Sequence, residues 1–261
     1  MELNPRQTEL IEAVRSNGPI SIEALAERFG VTLQTVRRDV RHLAEGGWLA
    51  RFHGGVRLPG STTENIAYRQ RQALVSEGKA VIARSIAQRI PNGCSLIMNI
   101  GTTIEAVAHE LRQHQGLRVI TNNLHIAAVL SANRDCEVIV AGGVVRGTDQ
   151  GIVGEATVDF IRQFKVDIGL LGISGIEADG TLRDFDFREV KVSRAIIEQS
   201  REVWLAADHT KFNRPAMVEL GALNDVDILF TDEPPPQPFV DLLSQANVEC
   251  VVAHEPHKEL S

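Results

Sequence analysis

The sequence predicts two folded parts, a small winged helix-turn-helix at the N-terminus and a larger α/β domain behind it. Three observations carry this reading. Two short amphipathic helices are separated by little more than Val31 and Thr32, and a basic hairpin follows the second of them. From Pro91 onward, short apolar strands alternate with amphipathic helices, the pattern of a largely parallel sheet covered by helices. Between the two patterns lies the breaker-rich run Leu58-Pro59-Gly60-Ser61-Thr62-Thr63, which reads as a linker. The expected division is therefore residues 1–57 for the winged head, 58–75 for the linker and 76–255 for the α/β domain.

Each element of the head follows from local chemistry. Asn4 and Pro5 cap a first helix with Leu10, Ile11 and Val14 at helical spacing, ended by Asn17 and Gly18. Ser21 caps a second, in which Ile22, Leu25, Ala26 and Phe29 fall at i, i+3, i+4 and i+7 before Gly30 stops it. Thr32 caps a third, with Leu33, Val36, Val40 and Leu43 as its expected buried stripe. So tight a connection between helices makes a helix-turn-helix. The opposite face of the third helix carries Gln34, Arg38 and Arg41 at its centre, Thr35 and His42 to one side and Arg37 near the other edge. Arginine pairs with guanine and glutamine with adenine in the major groove, whereas Thr35 near the helix start suits a phosphate. Residues 48–58 read as a strand, a Gly54-Gly55 turn and a returning strand, a wing presenting Arg51, His53 and Arg57 to a duplex.

Composition bounds the partners. The chain has 261 residues, 43% of them hydrophobic, enough to fill a sizeable core. No apolar run reaches the roughly 18 residues of a membrane span. Polar Glu2, Asn4, Arg6 and Gln7 follow Met1 where a signal peptide would be basic and then apolar. The expectation is a cytoplasmic protein without membrane contact. Cys94, Cys136 and Cys250 are odd in number and widely spaced, so no disulfide framework, metal site or cofactor is expected. A net charge of -7 argues against a nucleic-acid partner in bulk, yet six arginines stand between Arg28 and Arg57 against only Asp39 and Glu45. A basic patch on an acidic chain is the footprint of a polyanion.

The run Thr35-Val36-Arg37-Arg38-Asp39-Val40, then Leu43, Arg51 and His53-Gly54-Gly55, resembles the DeoR family of bacterial regulators. The resemblance implies a repressor head in which this helix reads operator DNA through Gln34, Thr35, Arg37 and Arg38. By helical angle Asp39 lies off the reading face, where it orients a neighbouring arginine rather than touching DNA.

In the larger domain, ligands of open α/β sheets bind beyond the C-terminal ends of the strands. The first strand runs into Gly101-Thr102-Thr103 and a helix, which gathers backbone N–H groups, hydroxyls and a helix N-terminus around one point. Later strands end in Asn122-Asn123, Gly142-Gly143, Gly172-Ile173-Ser174-Gly175 and Asp208-His209-Thr210-Lys211. Small residues, amides, hydroxyls and a lysine at one rim suit a polyhydroxylated anion. Lys211 can pair with a phosphate or simply be solvated; Glu189 and Lys191, at a helix start, can contact a ligand or form a structural pair. His125 and His209 lack metal spacing.

The DeoR resemblance covers this half too. It implies an effector domain like ribose-5-phosphate isomerase and the sugar-phosphate deaminases, with Gly101-Thr102-Thr103 as the phosphate cradle. Further stretches, among them residues 151–157 and Lys211-Phe212, narrow it and imply a phosphorylated small-molecule effector, glycerol 3-phosphate in particular. Asn99 stands where family members usually carry Asp, and Asp179-Gly180-Thr181 where the deaminases have Asp-Gly-His. An isomerase or deaminase needs a base near the sugar carbons; Asp184, Asp186 and Glu189 are available, but the imidazole is missing, so a sensor without catalysis is expected. A metabolite binder with no DNA function would leave the Arg38 face idle. The expected partners are thus double-stranded operator DNA, the effector and further copies of the chain, since paired heads read paired half-sites about one helical turn apart. Dimers are expected on that ground, and the family resemblance implies tetramers as well.

Overall fold

A computed structural model of the chain describes residues 4–17, 20–46, 48–52, 54–57, 65 and 68–254. The chain divides between Glu64 and Asn65 into two compact units.

The first unit holds α1 (Pro5–Asn17), β1 (Ile20–Ser21), α2 (Ile22–Phe29), α3 (Leu33–Glu45), β2 (Ala50–Phe52) and β3 (Gly55–Arg57). Helix α1 opens on a reciprocal cap, the Gln7 N–H donating to Asn4 Oδ1 at 2.9 Å and the Asn4 N–H to Gln7 Oε1 at 3.1 Å, so two orphan donors are satisfied at once. Ser21 Oγ accepts from the Ala24 N–H at 3.1 Å to start α2, and Gly30 ends it in the left-handed region at φ +61°. Thr32 Oγ1 then accepts from the Thr35 N–H at 3.3 Å to start α3. The strands form a sheet in the order β1-β3-β2. Strand β1, too short to show a period, was not foreseen from the sequence. Leu10, Val14, Leu25, Val36, Val40, Leu43 and Val56 meet in the core, each at most 1% exposed.

Two expectations for α3 change. Leu33 is 41% exposed rather than part of the buried stripe, because it is the first residue of the helix and lies beyond the reach of the core. Asp39 takes a buried place instead, its carboxylate accepting from Arg6 Nε at 2.7 Å and Gln7 Nε2 at 3.4 Å. The arginine that Asp39 engages therefore lies on α1, and it ties α1 to the reading helix. The wing also turns one residue earlier than expected, since Gly55, on the returning strand, already pairs with Phe52.

The second unit begins with α4 (Tyr68–Ala73) and α5 (Ser76–Arg89), followed by β4 (Ser95–Met98), α6 (Thr102–Glu110), β5 (Leu117–Thr121), α7 (Leu124–Leu130) and β6 (Cys136–Val140). The chain continues through a short pair, β7 (Val144–Val145) and β8 (Ile152–Val153), then α8 (Glu155–Ile161), β9 (Val166–Gly172), β10 (Gly175–Ile176), β11 (Thr181–Asp184) and α9 (Phe187–Glu198). It closes with β12 (Ser200–Ala206), β13 (Val218–Ala222), β14 (Ile228–Thr231), α10 (Gln237–Gln245) and β15 (Glu249–Val252). Seven strands form one sheet in the order β15-β14-β12-β9-β4-β5-β6, every pairing parallel. Apolar clusters cover both faces, one around Ile82, Leu96, Met98, Ile104 and Leu170, the other around Ile97, Leu171, Ile196, Leu205 and Phe239, as an all-parallel sheet requires. A small antiparallel sheet, β10-β11-β13, stands beside it.

Of the stretch 58–75 expected to be linker, residues 65 and 68–75 belong to the larger unit. Helix α4 is polar in sequence and so gave no periodic signal. It is held by side-chain bonds: Tyr68 Oη donates to Glu105 Oε2 at 2.7 Å, and Lys79 Nζ to the carbonyls of Arg71 and, at 2.6 Å, Leu74.

Candidate functional site

In the head, Gln34, Arg37, Arg38 and Arg41 are all exposed on α3, and Arg51 is exposed on β2. Thr35 is half-buried, its hydroxyl engaged with Thr32 Oγ1 at 2.9 Å. Arg57 on β3 is half-buried, and that burial lowers its pKa. His53 lies outside the described residues. Four donor side chains therefore share the outer face of a helix whose inner face is fixed by the core.

In the larger unit the chain first runs β4, β5, β6 to one edge, then returns to place β9 on the other side of β4. The switch point thus falls between β4 and β9, where a crevice opens beyond the strand ends. Gly101, at φ +153°, leads from β4 into α6 there, and a Cβ on it would stand 3.9 Å from the Cα of Gly172 at the end of β9. Thr102 is half-buried and Thr103 buried in the first turn of α6.

Asn122 and Asn123 are fully buried beside this loop. Asn123 caps α7 by accepting from the His125 N–H at 2.8 Å, and its Nδ2 donates to Glu105 Oε1 at 2.9 Å, so Glu105 joins Asn123 to Tyr68. Asn122 Nδ2 donates to the Ile152 carbonyl at 3.0 Å, while its Oδ1 is buried without a partner. Asn99 donates from Nδ2 to Ser193 Oγ at 2.8 Å, a bond an aspartate could only make in reverse, and its Oδ1 is likewise buried and unpartnered. Two orphaned amide oxygens at one strand-end rim call for donors that the described residues do not supply.

A cavity of about 530 Å³, linked to this rim by the Tyr68–Glu105–Asn123 chain of hydrogen bonds, is lined by Asn65, Tyr68, Arg71, Arg146, Asp149, Asp184, Asp186 and Glu189 among others. Arg146 organises its carboxylates, reaching Asp149 Oδ2 at 2.6 Å, Glu189 Oε2 at 2.7 Å and Asp186 Oδ2 at 3.0 Å. Burial opposes ionisation of Asp186, but hydrogen bonds from Arg188 and Arg146 outweigh it and hold the pKa down at about 2. Burial pushes Asp184 up, although Ser174 Oγ donates to it at 2.9 Å. Burial and the neighbouring Asp184 push Glu189 up to about 8 against the pull of Arg146.

A pH dependence follows. Between the ordinary value of 4.5 and about 8, the folded state retains a proton on Glu189 that the unfolded chain has lost, so this group's contribution falls as pH rises through that window. Thermal melts of the wild type and Glu189→Gln from pH 5 to 8 check it: the wild-type melting temperature should decline with pH relative to that of the variant.

The structure separates other expected residues from the cavity. Lys191 is exposed and donates to Glu155 Oε1 at 2.6 Å, because two residues along α9 turn it to the other side from Glu189. Gly143 serves packing, since a Cβ there would stand 2.1 Å from Thr157 Oγ1, whose hydroxyl donates to the Gly142 carbonyl at 2.8 Å. Gly175 lies against the Arg214 carbonyl, where a Cβ would stand 2.0 Å from the oxygen. Lys211 is buried with Nζ 3.7 Å from Asp208 Oδ2, and burial, Arg214 and Arg71 lower its pKa despite that carboxylate. His209 Nδ1 sits 2.8 Å from Asp232 Oδ2 and 3.4 Å from Glu233 Oε1, and the bond to Asp232 raises its pKa.

Sequence reasoning overlooked Arg71, Arg146 and Asp149, which lie in segments without strand or helix periodicity strong enough to place them.

A helix-turn-helix with an exposed arginine face, joined to a parallel α/β domain with a polar strand-end cavity, defines a DNA-binding transcriptional regulator with an attached sensor. Residues 6–62 match the DeoR-like helix-turn-helix domain and residues 75–233 the DeoR C terminal sensor domain. The chain belongs to the DeoR family. It is 48% identical over 249 residues to the glycerol-3-phosphate regulon repressor of Escherichia coli K12, covering 95% of this chain and 98% of that protein. Identity to the glycerol-3-phosphate regulon repressor of Haemophilus influenzae is 46% over 254 residues, 97% of this chain and 98% of that one. Among solved structures, ribose 5-phosphate isomerase A from Methanocaldococcus jannaschii superposes with a TM-score of 0.39 at 12% identity, over 52% of this chain and 54% of that one. No helix among the described residues is long and apolar enough to cross a membrane.

Proposed function

We propose that this protein is a cytoplasmic transcriptional repressor whose winged head binds operator DNA and whose sensor, on binding glycerol 3-phosphate, releases it. The observation that carries the reading is the exposed face of Gln34, Arg37, Arg38 and Arg41 on the second helix of the helix-turn-helix. Arginines on such a face pair with guanine edges and phosphates. Arg51, His53 and Arg57 on the wing add contacts to the backbone or minor groove, and Thr35 a phosphate contact. In the sensor, Gly101-Thr102-Thr103 forms one side of the phosphate cradle, with Asn122, Asn123 and Lys211 around it, and the neighbouring cavity, where Glu189 receives ligand hydroxyls, supplies the rest. Ligand and operator are linked: a coupling of about 1–3 kcal/mol changes operator affinity roughly 5- to 150-fold. The chain assembles as a homodimer or tetramer, so that paired heads meet paired half-sites. It performs no catalysis.

Calorimetric titration of the full chain with glycerol 3-phosphate, fructose 1-phosphate, glucose 6-phosphate and glycerol tests the effector assignment. Saturable heat is expected with glycerol 3-phosphate and none with glycerol, each compound being recovered unchanged. Absence of binding by glycerol 3-phosphate overturns the effector, and turnover of any of the four overturns the non-catalytic reading.

A further inference from the structure

We propose that Arg71, on the first helix of the larger unit, is an anion receptor of the effector cavity. This inference rests on the reading of the larger unit as a phosphate sensor. Helix α4 is the first helix of that unit in chain order, and Asn65, Tyr68 and Arg71 all line the cavity. A guanidinium offers five N–H donors in a fixed fork. Arg71 uses few of them: among the described residues Nε is buried without a hydrogen-bond partner, and its ion pair with Asp149 is a loose one, Nη2 to Oδ2 at 3.6 Å. Asp149 is already held in two places by Arg146, at 3.1 and 2.6 Å, so its charge is matched without Arg71. A buried donor left unpaired is costly unless a ligand or water brings an acceptor.

The chemistry of the ligand follows from the rest of the wall. A phosphate fits the guanidinium fork, accepting two parallel N–H bonds. Asp186 is held ionised by Arg188 and Arg146, which disfavours a second anionic group on the ligand but accepts hydroxyl donors. The class defined is a small polyol carrying one phosphate. The guanidinium is presented to such a ligand from a fixed helix, because Lys79 grips the carbonyls of Arg71 and Leu74 and Tyr68 is anchored on Glu105. Asn65, on the same wall, accepts from Arg214 Nη2 at 2.8 Å and donates to Ser174 Oγ at 3.4 Å, whose hydroxyl donates to Asp184 at 2.9 Å.

The test uses full-length wild type, Arg71→Gln and Arg71→Lys on promoter DNA that the wild type binds, each compared with its own ligand-free binding. The concentration of glycerol 3-phosphate giving half-maximal release should rise roughly 10- to 100-fold in Arg71→Gln, the range of a lost hydrogen bond to a charged group. Arg71→Lys, which keeps the charge and loses the fork, should fall between the two. The calorimetric Kd for glycerol 3-phosphate should rise in parallel. Wild-type response in both variants overturns the inference and leaves the sensor reading standing. Failure of the wild type itself to be released by any of the phosphates overturns the sensor reading and the inference with it. If Arg71→Gln melts early, an unchanged response in Arg71→Lys is sufficient to overturn it.

Discussion

Replacing Leu43 with alanine is expected to unfold the winged head and abolish DNA binding while the larger unit keeps its fold. Leu43 is fully buried in α3, in a core to which a dozen buried apolar residues contribute among the described ones. Removing a buried leucine side chain costs about 2–5 kcal/mol, the upper end where the surroundings cannot collapse. A domain of roughly 60 residues has about that much stability to lose. The sensor has its own two clusters, one on each face of the seven-stranded sheet, and shares no core residue with the head. Calorimetry should therefore show the head transition lost or moved far down while the sensor transition stays in place. Operator binding at wild-type affinity in Leu43→Ala would contradict this.

Arg38→Ala is expected to produce the second large effect, a loss of roughly 5- to 150-fold in operator affinity, corresponding to about 1–3 kcal/mol for a base-reading arginine. Arg38 is exposed at the middle of the reading face, and removing its side chain leaves the core residues Val36, Val40 and Leu43 untouched. The dependence on salt separates its two possible partners. A base contact relaxes specificity at one position, whereas a phosphate contact weakens all sequences alike and lowers the salt slope by about one. Arg201→Ala removes an exposed arginine on the sensor and should leave operator affinity unchanged. Equal losses in the two variants would mean that bulk charge, not the α3 face, drives binding.

The head was legible because its signals are local. Caps at Asn4, Ser21 and Thr32, the stop at Gly30 and the apolar stripes act within a turn or two, and all of them appear in the structure except Leu33, which leaves the stripe of α3. Asp39 shows where this legibility ends: its burial depends on Arg6, 33 residues away. In the sensor, the alternation of strands and helices announced the parallel sheet, and strand ends located the rim. The antiparallel pieces β10, β11 and β13, with the sequences GI, TLRD and VELGA, lack the apolar runs of the parallel strands, and α4 is a polar helix fixed by tertiary hydrogen bonds. Because α4 was unread, so was Arg71.

The rim residues divide for the same reason. Gly101 can be inferred from a strand running into a helix, but nothing in the spacing distinguishes it from Gly143, whose role depends on a contact with Thr157 in a later helix. Glu189 and Lys191 are near neighbours in sequence and part company only because a helix turns them apart. The charge network around Arg146 draws on Asp149, Asp186 and Glu189 from two separate segments, a convergence that only the fold creates.

The measurement that reaches the central claim most directly is the affinity of the full chain for labelled operator DNA, by fluorescence anisotropy at fixed salt, with and without saturating glycerol 3-phosphate. A sensor linked to a DNA-reading head predicts a weakening of roughly 5- to 150-fold. The same affinity in both conditions would contradict it.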